Sequence, residues 1–275
     1  MPETLNECTW QQIHELSAAG KLGDYYDVGD GKDITLNGTV SILNLSNFVI
    51  TAFIIGINHN ALLEGNNLTH FALGKIGGKM VALCDSYYDD VDHGAGGDGS
   101  FCMNPFNGEE DNSTGWENSY MRETILGNSG TPSSPPANSL LAILPAELKT
   151  VLMPVTKYTD NTAATGGKIT ATTDYLWLLA EFEVMGIQEE GMMEVRGNMN
   201  EPYSQLPYDY FRAGNSKEVY KHNDTASNAT IYLRSPSSNI RGEFCVLESW
   251  GEGTVHVDGG SNPWASLGVL ACFAV

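Results

Sequence analysis

The amino-acid sequence predicts an α+β protein with long loops, in which two helices pack against a twisted, mostly antiparallel sheet that includes the C-terminal strands. Three observations predict this class. Apolar residues recur at helical spacing in two segments, Thr9–Ala19 and Glu117–Leu126. Short β-type runs, separated by Gly, Ser and Asn, fill much of the remainder. No linker or internal repeat interrupts the 275 residues, so we expect one domain, 1–275, that ends in a β-rich subdomain at about 229–275.

The first helix is predicted from its ends and its apolar face. Trp10, Ile13 and Leu16 lie three residues apart, which puts them on one side of a helix. Thr9 is a favourable N-cap, and Gly20 is a typical residue just beyond a helix end. We expect this apolar face to pack on the sheet.

A hairpin and a long strand are predicted next. Residues 25–38 contain a G-D-G sequence between short β-type runs, which indicates a tight turn. The most apolar stretch, Phe48–Ile57, belongs to a strand region that begins at Val40. It has about half of the roughly 20 residues that a membrane-spanning helix needs, and its β-branched content favours a buried strand. We therefore expect no membrane insertion.

The middle of the chain alternates further short elements with loops. Residues 140–151 predict a short helical segment, and residues 154–158 predict a strand. The apolar run 174–184 fits either a strand or a buried helix by its length, and we interpret it as a strand. Residues 191–224 are polar, rich in Tyr and without clear periodicity, so a long loop is expected there.

The charge of the chain excludes several classes of partner. There are 34 acidic and 14 basic residues, which give a formal net charge of −20. Such a chain is repelled by a nucleic-acid backbone and by an anionic membrane surface. The N-terminal segment also lacks the basic region and the apolar core of a secretory signal peptide. We expect neither nucleic acid as a partner nor export by that route.

Catalytic motifs are missing from the sequence. It has no phosphate-binding glycine loop and no G-x-S-x-G sequence, which removes the usual nucleotide and serine-hydrolase signatures. The six histidines show no zinc-protease spacing, and the five cysteines form no C-x-x-C pair. A non-catalytic protein without a resident cofactor is therefore the expectation.

One acidic loop is a candidate cation site. Residues 85–98 carry five aspartates, and oxygen-rich loops of this kind can hold Ca²⁺. If an ion is bound, we expect calcium, with Asp89, Asp90 and Asp92 as ligands. The spacing departs from that of an EF-hand, and a solvated loop without an ion is the alternative.

The last part of the chain is the candidate binding surface. Within residues 231–275, apolar residues of structural character alternate with aromatic, charged and small polar residues, a composition typical of adaptable binding surfaces. An ordinary sheet edge with turns is the alternative. Trp250, His256 and Trp264 are expected to lie close together on one face. The candidate ligand-binding residues are Ser238, Asn239, Arg241, Glu248, Trp250, Glu252, His256, Asp258, Asn262 and Trp264.

Three short patterns are spread over nearly the whole chain: W-x-x-I with a G-D turn, G-W-x-x-S-x-M-R, and a C-terminal Y-L-R-S-P…F-C…G-x-V…G-V-x-x-x-F. They comprise Trp10, Ile13, Gly29, Asp30, Gly115, Trp116, Ser119, Met121, Arg122, Tyr232, Leu233, Arg234, Ser235, Pro236, Phe244, Cys245, Gly253, Val255, Gly268, Val269 and Phe273. With these patterns the chain resembles an uncharacterised domain family of gut Firmicutes and their phages. That family is similar to the C-type-lectin-like group, which includes formylglycine-generating-type domains and the variable proteins of diversity-generating retroelements.

The resemblance implies a C-type-lectin-like fold and a non-catalytic function. It predicts a ligand- or receptor-binding protein, encoded by a phage or prophage, that displays a C-terminal surface open to diversification. The expected partner is a protein or glycan on a cell or virion surface, and homo-oligomers are common among such proteins. The expected location is the virion, or the cytoplasm before assembly.

The chain departs from the related groups in two respects. The cysteine pair of the formylglycine-generating enzymes has no evident counterpart, so their oxidase chemistry does not carry over. The E-P-N and W-N-D motifs of calcium-dependent lectins are also missing, apart from a partial echo at Glu201–Tyr203. Two alternatives stay open: a metal-dependent enzyme that uses the acidic loop 85–98, and a structural virion or surface protein.

Overall fold

The chain folds as a mixed α+β protein with a mostly antiparallel large sheet and few helices. The structure is a computed structural model. It describes residues 2–89, 100–106, 112–161, 168–186, 205–237, 242–251 and 254–275.

The strands and helices of the described residues are short apart from one long hairpin. The strands are β1 (Gly31–Val40), β2 (Leu43–Ile57), β3 (Thr69–Ile76), β4 (Lys79–Ala82), β5 (Val155–Asp160), β6 (Ile169–Asp174), β7 (Tyr220–Lys221), β8 (Asp224–Asn228), β9 (Ile231–Pro236), β10 (Phe244–Gly251), β11 (Thr254–Ser261) and β12 (Cys272–Ala274). The helices are α1 (Trp10–Ala18), α2 (Ala61–Glu64), α3 (Leu140–Ile143), α4 (Ala146–Lys149), α5 (Glu181–Met185) and α6 (Asp209–Arg212).

The largest sheet joins both ends of the chain. Its strand order is β1-β2-β3-β4-β7-β8, and β12 pairs with β3. The pairs are antiparallel except for β4 with β7. The central strand β3 is buried from Thr69 to Gly74, as expected for a strand with neighbours on both sides and packing on both faces. Apolar side chains from Leu5 to Val275 form one contiguous buried cluster around this sheet.

The C-terminal strands divide between two sheets. β9, β10 and β11 form a separate three-stranded sheet in the order β11-β10-β9, whereas β12 joins the large sheet. β5 and β6 form a two-stranded ribbon. The sequence predicted the C-terminal strands within one sheet, and this part of the prediction is wrong. Alternation identifies a strand but not its partner, and pairing depends on distant residues.

The N-terminal helix is confirmed. The Thr9 side chain accepts a hydrogen bond from the backbone N–H of Gln12 at 3.1 Å, and the Gln12 side chain accepts one from the backbone N–H of Thr9 at 2.9 Å, which together make a capping box. Trp10 and Ile13 are buried, and the Trp10 ring meets Phe71 of β3 edge-on. The predicted apolar face therefore packs on the large sheet.

The predicted hairpin turn at G-D-G is misplaced. The hairpin of this region is formed by β1 and β2, and its turn lies between Val40 and Leu43, where Ser41 has a φ of 52°. Gly29 and Asp30 precede the hairpin and Gly31 begins β1, and Gly29 donates its N–H to the carbonyl of Ile54 in β2.

The second predicted helix is reduced to a π-helical segment, Met121–Ile125. Side-chain contacts fix the conformation of this region, where a longer helix was expected. The buried Asp174 carboxylate accepts hydrogen bonds from the Trp116 indole at 2.9 Å and from Arg122 Nε at 2.7 Å. The Ser119 hydroxyl accepts from the Arg122 backbone N–H at 3.2 Å. The G-W-x-x-S-x-M-R pattern therefore anchors this segment to the end of β6.

The strand predicted over residues 174–184 is also wrong. Asp174 ends β6, Trp177 makes a single bridge to Cys272, and helix α5 begins at Glu181. Residues 176–180 are all apolar and all buried, so the run shows no period that separates strand from helix. The predicted loop 191–224 is described from residue 205 onward, where it contains α6, β7 and the start of β8; its earlier part lies outside the described residues.

Two other predicted segments agree with the structure. Residues 140–151 contain the short helices α3 and α4, and β5 begins at Val155. Across the described part of the chain, no helix combines the length and the apolarity needed to cross a membrane.

Candidate functional site

The first candidate site is one face of the β9–β11 sheet. Glu248 of β10 pairs directly with His256 of β11, and both side chains are half-buried. Opposed residues in antiparallel strands project to the same face, and residues two apart in a strand do so as well. Glu248 and His256 therefore share a face with Val246, which lies two residues before Glu248.

The segment that follows β11 folds over this same face. Tyr232 of β9 pairs with Val246, so its side chain also lies on the face of Glu248. The Tyr232 hydroxyl hydrogen-bonds with the backbone carbonyls of Asn262 at 2.5 Å and Ala265 at 3.0 Å. The loop that carries Asn262 and Trp264 is thereby tied to the face.

Trp264 is the large aromatic residue of this surface. It is half-buried, and its ring packs edge-on against Phe106 with ring centroids 4.7 Å apart. Phe106 itself is 37% exposed. We call the group formed by Glu248, His256, Asn262, Trp264 and Phe106 the Trp264 face.

The other predicted ligand-binding residues are placed differently or not described. Ser238, Asn239, Arg241 and Glu252 lie outside the described residues. Trp250 and Asp258 lie in β10 and β11, where the structure describes their backbone and not their side chains.

The strand register sets the spacing of the two tryptophans. Phe244 pairs with Ser261 near Asn262, whereas Trp250 precedes Gly251, which pairs with Thr254 at the opposite end of the hairpin. Six strand residues span about 20 Å. The backbones of Trp250 and Trp264 thus lie toward opposite ends of the hairpin, in contrast to the compact trio expected with His256.

The acidic loop begins beside the Trp264 face. The buried Asp85 carboxylate accepts hydrogen bonds from the N–H groups of Tyr87 and Phe101 and from the Ser266 hydroxyl, at 2.7–2.9 Å. These bonds give Asp85 a structural role at the base of the loop. Of the three predicted calcium ligands, Asp89 is described and exposed.

Asp90 and Asp92 lie outside the described residues, so the calcium site stays a prediction.

A second candidate site, which sequence reasoning missed, is a buried group of ion pairs. The Lys157 ammonium lies 2.8 Å from Glu64 Oε2 and 3.0 Å from Glu183 Oε1. Arg234 binds both carboxylate oxygens of Glu183, at 2.6 and 3.1 Å. All four side chains are at most 5% exposed. We call these four residues the Lys157 cluster; they join α2, β5, α5 and β9.

Aromatic and imidazole groups surround the Lys157 cluster. The Tyr208 hydroxyl lies 3.0 Å from Lys157 Nζ and 3.0 Å from His70 Nδ1. The ring of His59 stacks on that of Tyr208, with centroids 3.9 Å apart. Lys157 also lies 4.8 Å from the centroid of the Trp177 ring. The ammonium is therefore enclosed by two carboxylates, a hydroxyl and two aromatic faces.

Burial and the neighbouring charges set the protonation of the cluster. Burial lowers the pKa of His59 to about 3 and lowers that of His70, so both imidazoles are neutral near pH 7. Burial also raises the pKa of Glu64 to about 7. For Glu183 burial acts in the same direction, but Arg234 and Lys157 outweigh it and hold its pKa well below the usual range.

The Lys157 cluster does not fit a metal ion. Ligand atoms of His59, Glu64 and Glu183 lie within 4.8 Å of one another, which is close enough for a shared ion. However, the Lys157 ammonium already bridges the two carboxylates, and Arg234 binds both oxygens of Glu183. A cation at this place would face two fixed positive charges, so the ammonium takes the position of the ion.

A cleft of about 480 Å³ opens beside His59. Ile57, Phe182 and Leu206 contribute apolar surface, and Asp209 and Arg212 of α6 lie on the same cleft. We call it the His59 cleft. It shares no residue with the Trp264 face.

A known protein family matches the part of the chain that contains most of these site residues. Residues 99–260 match the family described as a domain of unknown function, DUF6273, which is more than half of the chain. The chain belongs to the DUF6273 family. No curated protein and no solved structure matches it. The DUF6273 match includes Lys157, Glu183, Arg234 and the hairpin residues Glu248 and His256.

The sequence held a weak signal for the Lys157 cluster of this DUF6273 protein. Glu183 stands within the most apolar run of the second half, 174–184, and Arg234 stands between apolar residues in Y-L-R-S-P. Charged residues in such runs are rarely buried unless they are paired. The partners within the cluster lie 26 to 93 residues apart in the chain, so the sequence alone does not identify them.

Proposed function

We propose that this DUF6273 protein is a non-catalytic ligand- or receptor-binding protein whose binding surface is the Trp264 face. Its partner is a protein or a glycan on a cell or virion surface. The observation that supports the proposal is that Glu248 and His256 lie on the same sheet face as Tyr232, whose hydroxyl holds the Trp264 loop.

The Trp264 face has the chemistry of a binding surface on a firm support. Leu247 is buried on the opposite face of β10 and Val246 is buried on the same face as Glu248, so packing on both sides holds the strand in place. Trp264 is held against Phe106, and a tryptophan fixed in this way loses little conformational freedom when a partner covers it. Glu248 and His256 add an acceptor and a group that can donate or accept.

The proposal also covers the genetic origin of the protein and the fold that carries its binding surface. Within it, the chain is a C-type-lectin-like protein of a phage or prophage, and the C-terminal segment is open to diversification. In such a protein, some residues form a constant framework and others form the binding surface. Three residues of the resemblance, Trp116, Arg122 and Arg234, support this division, because they make buried contacts within the fold and none belongs to the Trp264 face. A reverse transcriptase gene beside the coding locus, with a near-repeat of its final segment, is the expected genomic context.

The binding proposal is tested with labelled protein on arrays of glycans and of bacterial surface proteins. Replacing Trp264 by Ala should weaken binding to any partner found by at least about tenfold, because a central aromatic anchor commonly contributes about 2 kcal/mol or more. The matched control is Tyr25→Ala, which removes an aromatic ring that is 53% exposed in a different part of the chain.

Two results would contradict the proposal. One is equal loss of binding in the Trp264→Ala and Tyr25→Ala proteins. The other is a loss of thermal stability in Trp264→Ala that accounts for all of its loss of binding.

A further inference from the structure

The His59 cleft offers a second, concave site that the Trp264 face does not use. Its volume of about 480 Å³ lies in the range of small-molecule sites. Ile57, Phe182, Leu206 and Pro207 form its apolar wall, and all four are half-buried. A ligand with one apolar side can cover this wall and remove it from water.

The polar groups of the cleft carry no net charge. Asp209 and Arg212 form an ion pair with an N–O distance of 3.1 Å and keep side-chain exposures of 47% and 65%. His59 is neutral because burial lowers its pKa to about 3. Behind His59, the Lys157 cluster contributes two cations and, above about pH 7 where Glu64 is ionised, two carboxylates. A charged ligand would therefore give up its hydration without gaining a net opposite charge.

Donors and acceptors stand side by side in the cleft. The Arg212 guanidinium supplies donors and the Asp209 carboxylate supplies acceptors at the exposed side. The imidazole of His59 makes a hydrogen bond with the backbone of Leu206, and its buried Nε2 atom has no partner among the described residues. Hydroxyl groups match such a mixture because each one both donates and accepts.

We propose that the His59 cleft binds a neutral, polyhydroxylated small molecule with one apolar face, of the size of a mono- or disaccharide. The apolar face covers Phe182 and Leu206. Hydroxyl groups bond with the exposed Asp209–Arg212 pair. This site is independent of the proposed function of the Trp264 face.

The test uses saturation-transfer NMR with the methyl glycosides of glucose, galactose and mannose. For each of the three sugars, the methyl glycosides of the matching uronic acid and 2-amino sugar serve as charged counterparts. At least one neutral glycoside should bind saturably, and its charged counterpart should bind at least about fivefold more weakly, because burial of an unpaired charge is unfavourable.

Two variants locate the binding. Leu206→Trp fills the cleft from a half-buried side chain while keeping the Leu206 backbone that His59 contacts, and it should weaken glycoside binding by at least about tenfold. Leu62→Trp is the matched control, since it adds the same bulk at a side chain that is 97% exposed and does not line the cleft. Arg212→Ala, at an exposed position, should weaken binding about threefold without affecting the fold.

The outcomes are decisive in both directions. The proposal is overturned if no neutral glycoside binds, if the charged counterpart binds as tightly, or if both Leu206→Trp and Arg212→Ala bind like the native protein. Binding through the Trp264 face should be unchanged in Leu206→Trp, so failure of this proposal is distinguishable from failure of the proposed function.

Discussion

The Lys157 cluster and the Trp264 face contain similar side chains in opposite surroundings. The cluster together with the rings that surround it, like the face, combines glutamate, imidazole and aromatic groups. In the cluster, Glu183 contacts both Lys157 and Arg234 and is fully buried. On the face, Glu248 and His256 stand opposite each other across two strands and are half-buried. Residue type alone therefore does not distinguish a framework from a surface that can meet a ligand.

The physical difference between the two regions is desolvation. A buried charge loses several kcal/mol of hydration, which only close partners of opposite charge recover. Such groups are fixed by their partners and have little freedom to meet a ligand. A half-buried pair keeps part of its hydration, so its contribution to folding is small and its atoms are open to exchange contacts with a partner.

The largest expected effect comes from removing the cation of the Lys157 cluster. Lys157→Met leaves Glu64 and Glu183 without their shared ammonium, and it should lower the free energy of unfolding by about 3–5 kcal/mol. Chemical denaturation measures this change. The control is Lys149→Met, whose ammonium donates to the carbonyl of Ala142, and it should cost about 1 kcal/mol or less. Similar losses of unfolding free energy in the two variants would contradict the expectation that the buried cluster contributes more to stability.

A smaller effect is expected in the pH dependence of stability. Burial raises the pKa of Glu64 to about 7, so between about pH 4.5 and 7 the folded protein binds more protons at this site than the unfolded chain. Glu64 therefore adds stability as the pH falls through this range. His59 acts in the opposite sense, because its pKa is lowered to about 3 and the unfolded chain takes up the proton first.

The variant Glu64→Gln removes the first of these two contributions. Its free energy of unfolding should fall more steeply than that of the native protein between pH 7 and 5, by up to about 1.4 kcal/mol per pH unit. Denaturation curves at pH 5, 6, 7 and 8.5 measure the slope, and the two proteins should run parallel above about pH 8. Equal slopes below pH 7 would show that Glu64 does not gain a proton on folding.

The smallest expected effect belongs to the Trp264 face. Glu248→Gln and His256→Gln should each change the free energy of unfolding by about 1 kcal/mol or less, because half-buried polar pairs contribute little to stability. Urea denaturation at pH 7 measures this. A loss of more than about 2 kcal/mol would assign the pair to the framework and would remove it from the proposed binding surface.

The sequence predicts elements better than it predicts partners. Helix α1 was predictable because Thr9, Trp10 and Ile13 carry its cap and its apolar face within a few residues. The segment around Met121 was not, because its conformation depends on Asp174, which is more than 50 residues away. The contacts that decide its form are tertiary, and local propensity does not include them.

The same limit applies to the candidate sites. Alternation in the C-terminal segment pointed to Glu248, His256 and Trp264, since surface residues of a strand leave a local pattern. The Lys157 cluster left only a weak signal, the charges of Glu183 and Arg234 inside apolar runs, because its members come from four separate elements. The His59 cleft is likewise formed by α5, α6 and the end of β2.

All five cysteines are buried and free of disulfides. Burial raises the pKa of Cys84 to about 12 and raises that of Cys272, so these thiols are protonated and shielded from alkylating reagents at neutral pH. A cysteine introduced by Leu62→Cys, on the helix that carries Glu64, would take a fluorescent maleimide at one defined position. The slow reaction of the native thiols would then measure the rate at which the core opens in the same sample.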